Sequence, residues 1–312
     1  VLKDLSWIDA MKRGDFERAW RLADETLAER AGRPCWHWPR HLQYIWDGSS
    51  LDGKRVLVRC YHGLGDTVQF IRFAALLKER AAEVIVWAQP ALLPLLQTVA
   101  GVDRLLPLHD GVPAVDYDHD VEVMELAHIC RVNPDTLPRK VPYLKPPSRT
   151  PALSRRRLNV GVIWRAGDWD ERRSIPTEAL APLAAVPGVT LHAMQHGPAG
   201  NEWPAHWGPV CPAGNALETA QWMQVLDLII SVDSFPAHLA GALGRPVWTL
   251  LPREADWRWM ESREDCPWYP SMRLFRQEKE GDWPPVIARV AGLLQSAVSD
   301  RWPGCPAGCS SL

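Results

Sequence analysis

The 312-residue chain lacks any uninterrupted apolar run near the ~18 residues that mark a membrane-spanning helix, so no spanning segment is expected. Surplus charge is missing too: 35 Lys and Arg against 37 Asp and Glu leave a net charge of −2. Nucleic acid needs a basic surface to neutralise its phosphates, so none is expected as a partner. The seven cysteines (Cys35, Cys60, Cys130, Cys211, Cys266, Cys305 and Cys309) form no CxxC pair and have no His-rich partner spacing, which argues against a zinc site. An odd, scattered set of thiols reads as reduced cysteine. The first residues, Val1-Leu2-Lys3-Asp4, carry no signal-peptide pattern, and the expected location is the cytoplasm.

What the chain does have is 17 Trp and 28 Pro, a composition that fits long ordered loops with aromatic plugs. Apolar residues make 46% and charged residues 23%, ordinary for a globular protein. At roughly 150 residues per domain the length accommodates two domains.

Apolar positions from Trp7 to Leu27 recur at helical spacing, broken by Gly14-Asp15. This predicts one helix–turn–helix unit of the tetratricopeptide type, or simply a helical cap, within residues 1–50. From Lys54 strands alternate with helices. Strands are predicted at Lys54–Cys60, Glu83–Trp87, Arg104–Leu108 and Tyr117–Val123. Helices are predicted at Asp66–Arg80, Ala91–Val99 and Met124–Cys130. Lys145–Pro151 is rich in Pro and reads as a linker. A second series follows, with strands at Leu158–Trp164, Thr190–Met194, Asp227–Val232 and Pro246–Leu251. Its helices are Pro176–Val186 opened by Ser174, Ala216–Leu226, Pro236–Leu243 closed by Gly244, and Pro284–Val298. Residues 252–283 read as irregular and Trp-rich, and 301–312 as a flexible tail carrying Cys305 and Cys309. The expected fold is α/β: two Rossmann-like, doubly wound parallel-sheet domains, 51–148 and 152–300, facing a cleft.

Two strand-to-helix corners could carry chemistry. The first is His62-Gly63-Leu64-Gly65-Asp66-Thr67. It is no Rossmann fingerprint, since Val68 replaces the third Gly, and no P-loop, since no Gly-Lys-Ser/Thr follows. Its glycines permit a tight turn close to a ligand. Asp66 at the helix start is either a cap or a general base, and its charge disfavours phosphate there. The second corner ends a buried strand at Asp233-Ser234 and opens a helix at Pro236, with His238 one turn in. Its free N–H groups make an anion site. Arg165, Arg172 and Arg173 cluster in one loop, either as phosphate-binding guanidinium groups or as a solvated charged loop. The alternating Asp116, Asp118 and Asp120 would share a strand face, but a metal there is not expected. Trp257, Trp259, Trp268 and Trp283 read as core plugs. His192 and His196 lie on a strand and its end, where four-residue spacing does not make a ligand pair.

Several spaced motifs across roughly 45–297 resemble one family. They are Gly63-Leu-Gly65-Asp66, Gly161-Val-Ile-Trp164-Arg-Ala-Gly167 with Arg172-Arg173-Ser174, Met194-Gln195-His-Gly197-Pro198, the Asp227–Pro246 block, and Asp256-Trp257-Arg258-Trp259. The pattern is similar to bacterial tetratricopeptide-linked glycosyltransferases, akin to ADP-heptose:lipopolysaccharide heptosyltransferases and distantly to O-GlcNAc transferases. The resemblance implies a GT-B glycosyltransferase, a hexosyl- or heptosyltransferase that uses a nucleoside-diphosphate sugar. By the same resemblance Asp66 is the catalytic base, and Asp233, Ser234 and His238 contact the donor's diphosphate and sugar. The resemblance also implies nucleotide contacts near Gln195, and from the residues themselves Gly63, Gly65, Arg165 and Arg173 are expected to complete the donor-binding set. Here the usual Trp-Ala-Gly-Asn loop is one residue longer, Trp164-Arg165-Ala166-Gly167-Asp168, and Pro236 replaces an aliphatic residue. The expected reaction is inverting transfer to a hydroxyl acceptor, with no cofactor and no metal. A sugar-nucleotide epimerase and a non-catalytic scaffold of the same shape are the competing readings.

Overall fold

A computed structural model describes residues 2–33, 35–43, 45–148, 153–154, 156–167 and 170–301. Asp168, residues 149–151 of the expected linker, and Cys305 and Cys309 in the expected tail therefore lie outside the described residues. The chain divides into two compact units. One comprises residues up to Pro146 together with Asp256–Arg263 and Pro267–Tyr269; the other comprises the remainder from Pro147.

The first unit opens with α1 (Leu2–Lys12) and α2 (Phe16–Arg30). Gly14 at φ +74° makes the turn, and Asp15 caps α2 by accepting from the Arg18 N–H. Then come β1 (Arg55–Arg59), α3 (Leu64–Phe70), α4 (Ala74–Lys78), β2 (Glu83–Ala88), α5 (Leu93–Leu96), β3 (Arg104–Pro107), β4 (His119–Glu122) and α6 (Leu126–Ile129). The four strands are parallel in the order β3-β2-β1-β4. Val56, Leu57 and Val58 are wholly buried, which is why β1 reads as a continuous apolar run.

The second unit contains β5 (Leu158–Ile163), α7 (Ala181–Ala184), β6 (Val189–Ala193), α8 (Ala216–Val225), β7 (Leu228–Val232), α9 (Phe235–Ala242), β8 (Val247–Leu251), β9 (Met272–Arg276) and α10 (Trp283–Arg301). Its sheet is parallel in the order β6-β5-β7-β8-β9. Val160, Val162, Ile230 and Val232 pack with Phe275 and with Trp283, Ile287, Val290 and Leu294 of α10. Gly161 is required by close approach, since a Cβ there would meet Met194 Sδ at 2.6 Å.

Four expectations are corrected. The helix expected over Asp66–Arg80 is two helices joined by a tight turn at Ile71–Phe73, where Arg72 Nε donates to the Gln69 carbonyl at 2.8 Å and competes with the helical ladder. The helices expected at Ala91–Val99 and Pro176–Val186 shrink to α5 and α7 behind tighter turns, because Pro94 and Pro182 supply no N–H. Ser174 does not open the latter; its hydroxyl accepts from the Ala166 N–H. The irregular stretch 252–283 contains β9, an edge strand whose own Arg273 and Arg276 interrupt its apolar run.

The stretch 252–283 also divides between the units. Trp257 meets Trp7 and Phe70, Trp268 meets Phe16 and Phe70, and Glu261 N–H donates to Lys12 C=O, all within the first unit. Trp259, Trp268 and Trp283 are buried as core plugs, whereas Trp257 is partly exposed.

Candidate active site

In the first unit the chain leaves β1 through Cys60 and Tyr61 and turns at Gly63, the extended residue before α3. Asp66 folds back so that its Oδ2 accepts from the Gly63 N–H at 2.9 Å. A Cβ on Gly63 would stand only 3.1 Å from that oxygen, so glycine gives the carboxylate room. Asp66 Oδ1 accepts from Arg258 Nη2 at 2.5 Å, and Arg258 Nη1 donates to Asp256 Oδ1 at 2.8 Å. The Arg258 guanidinium also lies over the rings of Trp257 and Phe70. Asp66 is thus both the helix-terminal carboxylate and half of an ion pair, with roughly a quarter of its side chain exposed. Gly63 is expected among the donor-binding residues; its N–H is already engaged by this carboxylate.

His62 Nδ1 lies 2.9 Å from Glu122 Oε1 at the ends of β1 and β4. Burial opposes the protonated imidazole, but the Glu122 carboxylate outweighs it, and the His62 pKa is raised. Glu125, close by, accepts from the N–H groups of Glu122 and Trp46. Burial, reinforced by the charge of Glu122, pushes its pKa up to about 7 despite those donors.

In the second unit β7 is buried along its whole length and ends at Asp233, itself 5% exposed. Ser234 is the extended residue before α9, yet its side chain makes no capping bond; its Oγ donates back to the Val232 carbonyl at 3.1 Å. Pro236 occupies the first turn and His238 is 5% exposed on the same helix. Buried Arg173 reaches this corner and donates from Nη1 to the Asp233 carbonyl at 2.9 Å. Gln195, after β6, accepts through Oε1 from the N–H groups of Trp164 and Arg165 and so fastens the end of β5. Strand order reverses between β6-β5 and β7-β8, and ligands in such sheets bind at the carboxyl ends there.

The three clustered arginines do not act together. Arg165 pairs with Glu202 at 3.1 Å and Arg172 with Asp170 at 2.9 Å, which leaves Arg173 as the guanidinium at the corner. Asp118 is bound by Arg55 and Asp120 by Arg59, and no group of three or more metal-ligating side chains occurs among the described residues. No described helix is long and apolar enough to cross a membrane. The sequence places His62 and Arg258 within motifs but gives them no role, and does not point to Glu122. Arg258 stands 192 positions from Asp66, and no local pattern reveals that pairing.

Residues 202–286 match the model of Glycosyltransferase family 9 (heptosyltransferase), a stretch that includes the β7–α9 corner. The chain is similar to Protein FlbA of Caulobacter vibrioides, 24% identical over 286 residues that cover 80% of this chain and 48% of that protein. It thus spans about half the length of that curated relative. Among solved structures, Escherichia coli ADP-heptose lps heptosyltransferase II is 17% identical with a TM-score of 0.54, covering 79% of this chain and 99% of its own. A glycosyl transferase family 9 protein from Veillonella parvula is 14% identical with a TM-score of 0.55, covering 81% and 99%. Escherichia coli heptosyltransferase WaaC with ADP-2-deoxy-2-fluoro heptose is 14% identical with a TM-score of 0.50, covering 79% and 99%. The fold is that of these neighbours: two parallel-sheet α/β domains of the GT-B type.

Proposed function

We propose that the chain is a glycosyltransferase that moves a sugar from a nucleoside-diphosphate sugar to a hydroxyl acceptor, with inversion and without a metal. The observation that carries the reading is the β7–α9 corner. A helix N-terminus with no side-chain cap follows a buried strand, braced by Arg173 and lying within the stretch that matches the family model. Backbone N–H groups there would receive the diphosphate. His238 would add a hydrogen bond to phosphate or sugar, and Gln195 would hold the β5 loop beside the nucleotide. Charge that develops on the leaving diphosphate is then met by fixed dipoles.

Asp66 is the proposed base. Arg258 and the Gly63 N–H orient the carboxylate, and each oxygen retains a second lone-pair direction for the acceptor hydroxyl. ADP is the first nucleotide to test, since the solved heptosyltransferases similar to this chain include complexes with ADP and an ADP-sugar.

Calorimetric titration with ADP-, GDP-, UDP- and dTDP-sugars tests the donor site. Turnover with and without acceptor separates the alternatives: an epimerase converts donor alone, and a non-catalytic binding or scaffold protein turns over none of the four. Chelator is expected to leave transfer unchanged, and strict dependence on Mg²⁺ or Mn²⁺ overturns the metal-independent mechanism.

A further inference from the structure

The order of the first sheet also reverses, between β2-β1 and β4. Beside the carboxyl ends of β1 and β4 lies a cavity of about 620 Å³, lined wholly by residues of the first unit. The position is that of a ligand site in a parallel sheet, and the volume is that of a small-molecule pocket. Trp7, Trp20 and Leu27 of the helical pair, Trp46 of the following loop, and Met124 and Trp257 contribute the principal apolar walls. On the loop that carries Trp38 and Leu42 to its edge, Trp36 is 59% exposed and Leu42 51% exposed. Large exposed apolar side chains beside an opening mark a binding surface.

Most polar residues of the lining are already engaged, while half-buried Arg30 and exposed His41 also border it. Glu122 accepts from the N–H groups of Tyr61 and Met124 and faces His62. Glu125 takes two main-chain N–H groups, and His128 meets Asp24. The Gln43 amide donates to the carbonyls of Trp36 and Trp38, and Thr26 donates to the Leu22 carbonyl. The surface left for a ligand is chiefly indole, thioether and aliphatic carbon. Against that carbon surface a hydroxyl-rich ring would lose water and gain few partners, whereas a neutral hydrocarbon or aryl group loses nothing.

We propose that this cavity binds an uncharged aliphatic chain or aryl ring, the apolar part of the acceptor that carries the reacting hydroxyl. Arg258, which holds Asp66, lies 3.9 Å from Met124 Sδ and over the Trp257 ring, so the partner of the proposed base touches two residues of the cavity wall. The word acceptor rests on the transfer reading above; binding of the apolar group does not.

The test is titration of the full chain with N-phenyl-1-naphthylamine, a neutral aryl probe, followed by its emission and by energy transfer from tryptophan. One saturable site per chain is expected, displaced by 1-decanol and not by glucose. Ala23→Phe fills the cavity from α2 and Leu27→Glu places a charge in it; each should weaken the probe by about tenfold or more. Ala28→Phe, on the exposed face of α2, should leave affinity unchanged. Thermal melts establish that the variants fold. ADP affinity should be the same in all four proteins. Unsaturable probe uptake, wild-type affinity in both cavity variants, or displacement by glucose overturns the proposal. Failure of ADP to bind the wild type overturns the transfer reading and leaves this site standing.

Discussion

The β1–α3 and β7–α9 corners are built alike and finished oppositely. Each follows a buried parallel strand and turns at a small extended residue into a helix. At α3 the third residue, Asp66, bends back and takes the Gly63 N–H, so the positive end of the helix is filled by the chain's own carboxylate. At α9 the Ser234 hydroxyl turns away to the Val232 carbonyl, and the side chain that could have capped the helix does not. The difference lies in where the acid stands. A carboxylate inside the first turn makes a corner that repels phosphate and can accept a proton. A hydroxyl that prefers a carbonyl makes one that can receive an anion.

The comparison can be broken most directly at Asp66. Asp66→Asn is expected to cut transfer by about 10²–10⁴-fold, the contribution of general base catalysis, with ADP affinity unchanged. A rise in ADP affinity in calorimetry would mean that the first corner also receives phosphate once its charge is gone. The converse change, Ser234→Asp, gives the second corner the acid that the first possesses. ADP binding should then fall by about a hundredfold while the melting temperature holds or rises, because aspartate is a good cap. Unchanged ADP affinity would place the diphosphate elsewhere.

His238→Ala probes the same corner more gently. One hydrogen bond to a charged group is worth about 1.5–3 kcal/mol, so ADP should weaken by about one to two powers of ten. Adenosine, which lacks the diphosphate, should bind the variant as it binds the wild type. The smallest effect concerns the first unit alone. Folded Glu125 holds its proton up to about pH 7, whereas its ordinary pKa is 4.5. Between these values the folded state binds the proton that the unfolded state has released. Stability therefore falls as pH rises from about 5 to 7, by on the order of 1–2 kcal/mol. His62, with its raised pKa, contributes in the same sense. Urea midpoints at both pH values should show a flatter dependence in Glu125→Gln; an identical slope would show that Glu125 is not the group responsible.

Much of the sheet structure was legible because buried parallel strands are continuous apolar runs. Leu228–Val232 and Leu158–Ile163 differ from expectation by a residue at one end. Helix continuity was less so, since the tight turn after α3 involves one contact between Arg72 and the Gln69 carbonyl, and no periodicity encodes it. At the two corners, local geometry was readable and distant pairing was not. The turns at Gly63–Asp66 and Asp233–Pro236 follow from a few adjacent residues. That Arg165 would be taken by Glu202, and that Arg258 would close on Asp66, depends on chain returning from far along the sequence.

That return has a consequence in time. The first unit's core includes Trp268, and its carboxylate at Asp66 is held by Arg258, yet both are encoded after most of the second unit. A ribosome adding roughly 5–20 residues per second has released all of the preceding helices and strands of the first unit on the order of 5–20 seconds before those side chains exist. Until then the faces of Phe16 and Phe70 that meet Trp268 are uncovered, and Asp66 has no guanidinium beside it. The proposed catalytic corner is therefore assembled late, by a piece of chain that arrives only when β5 to β8 have already been made.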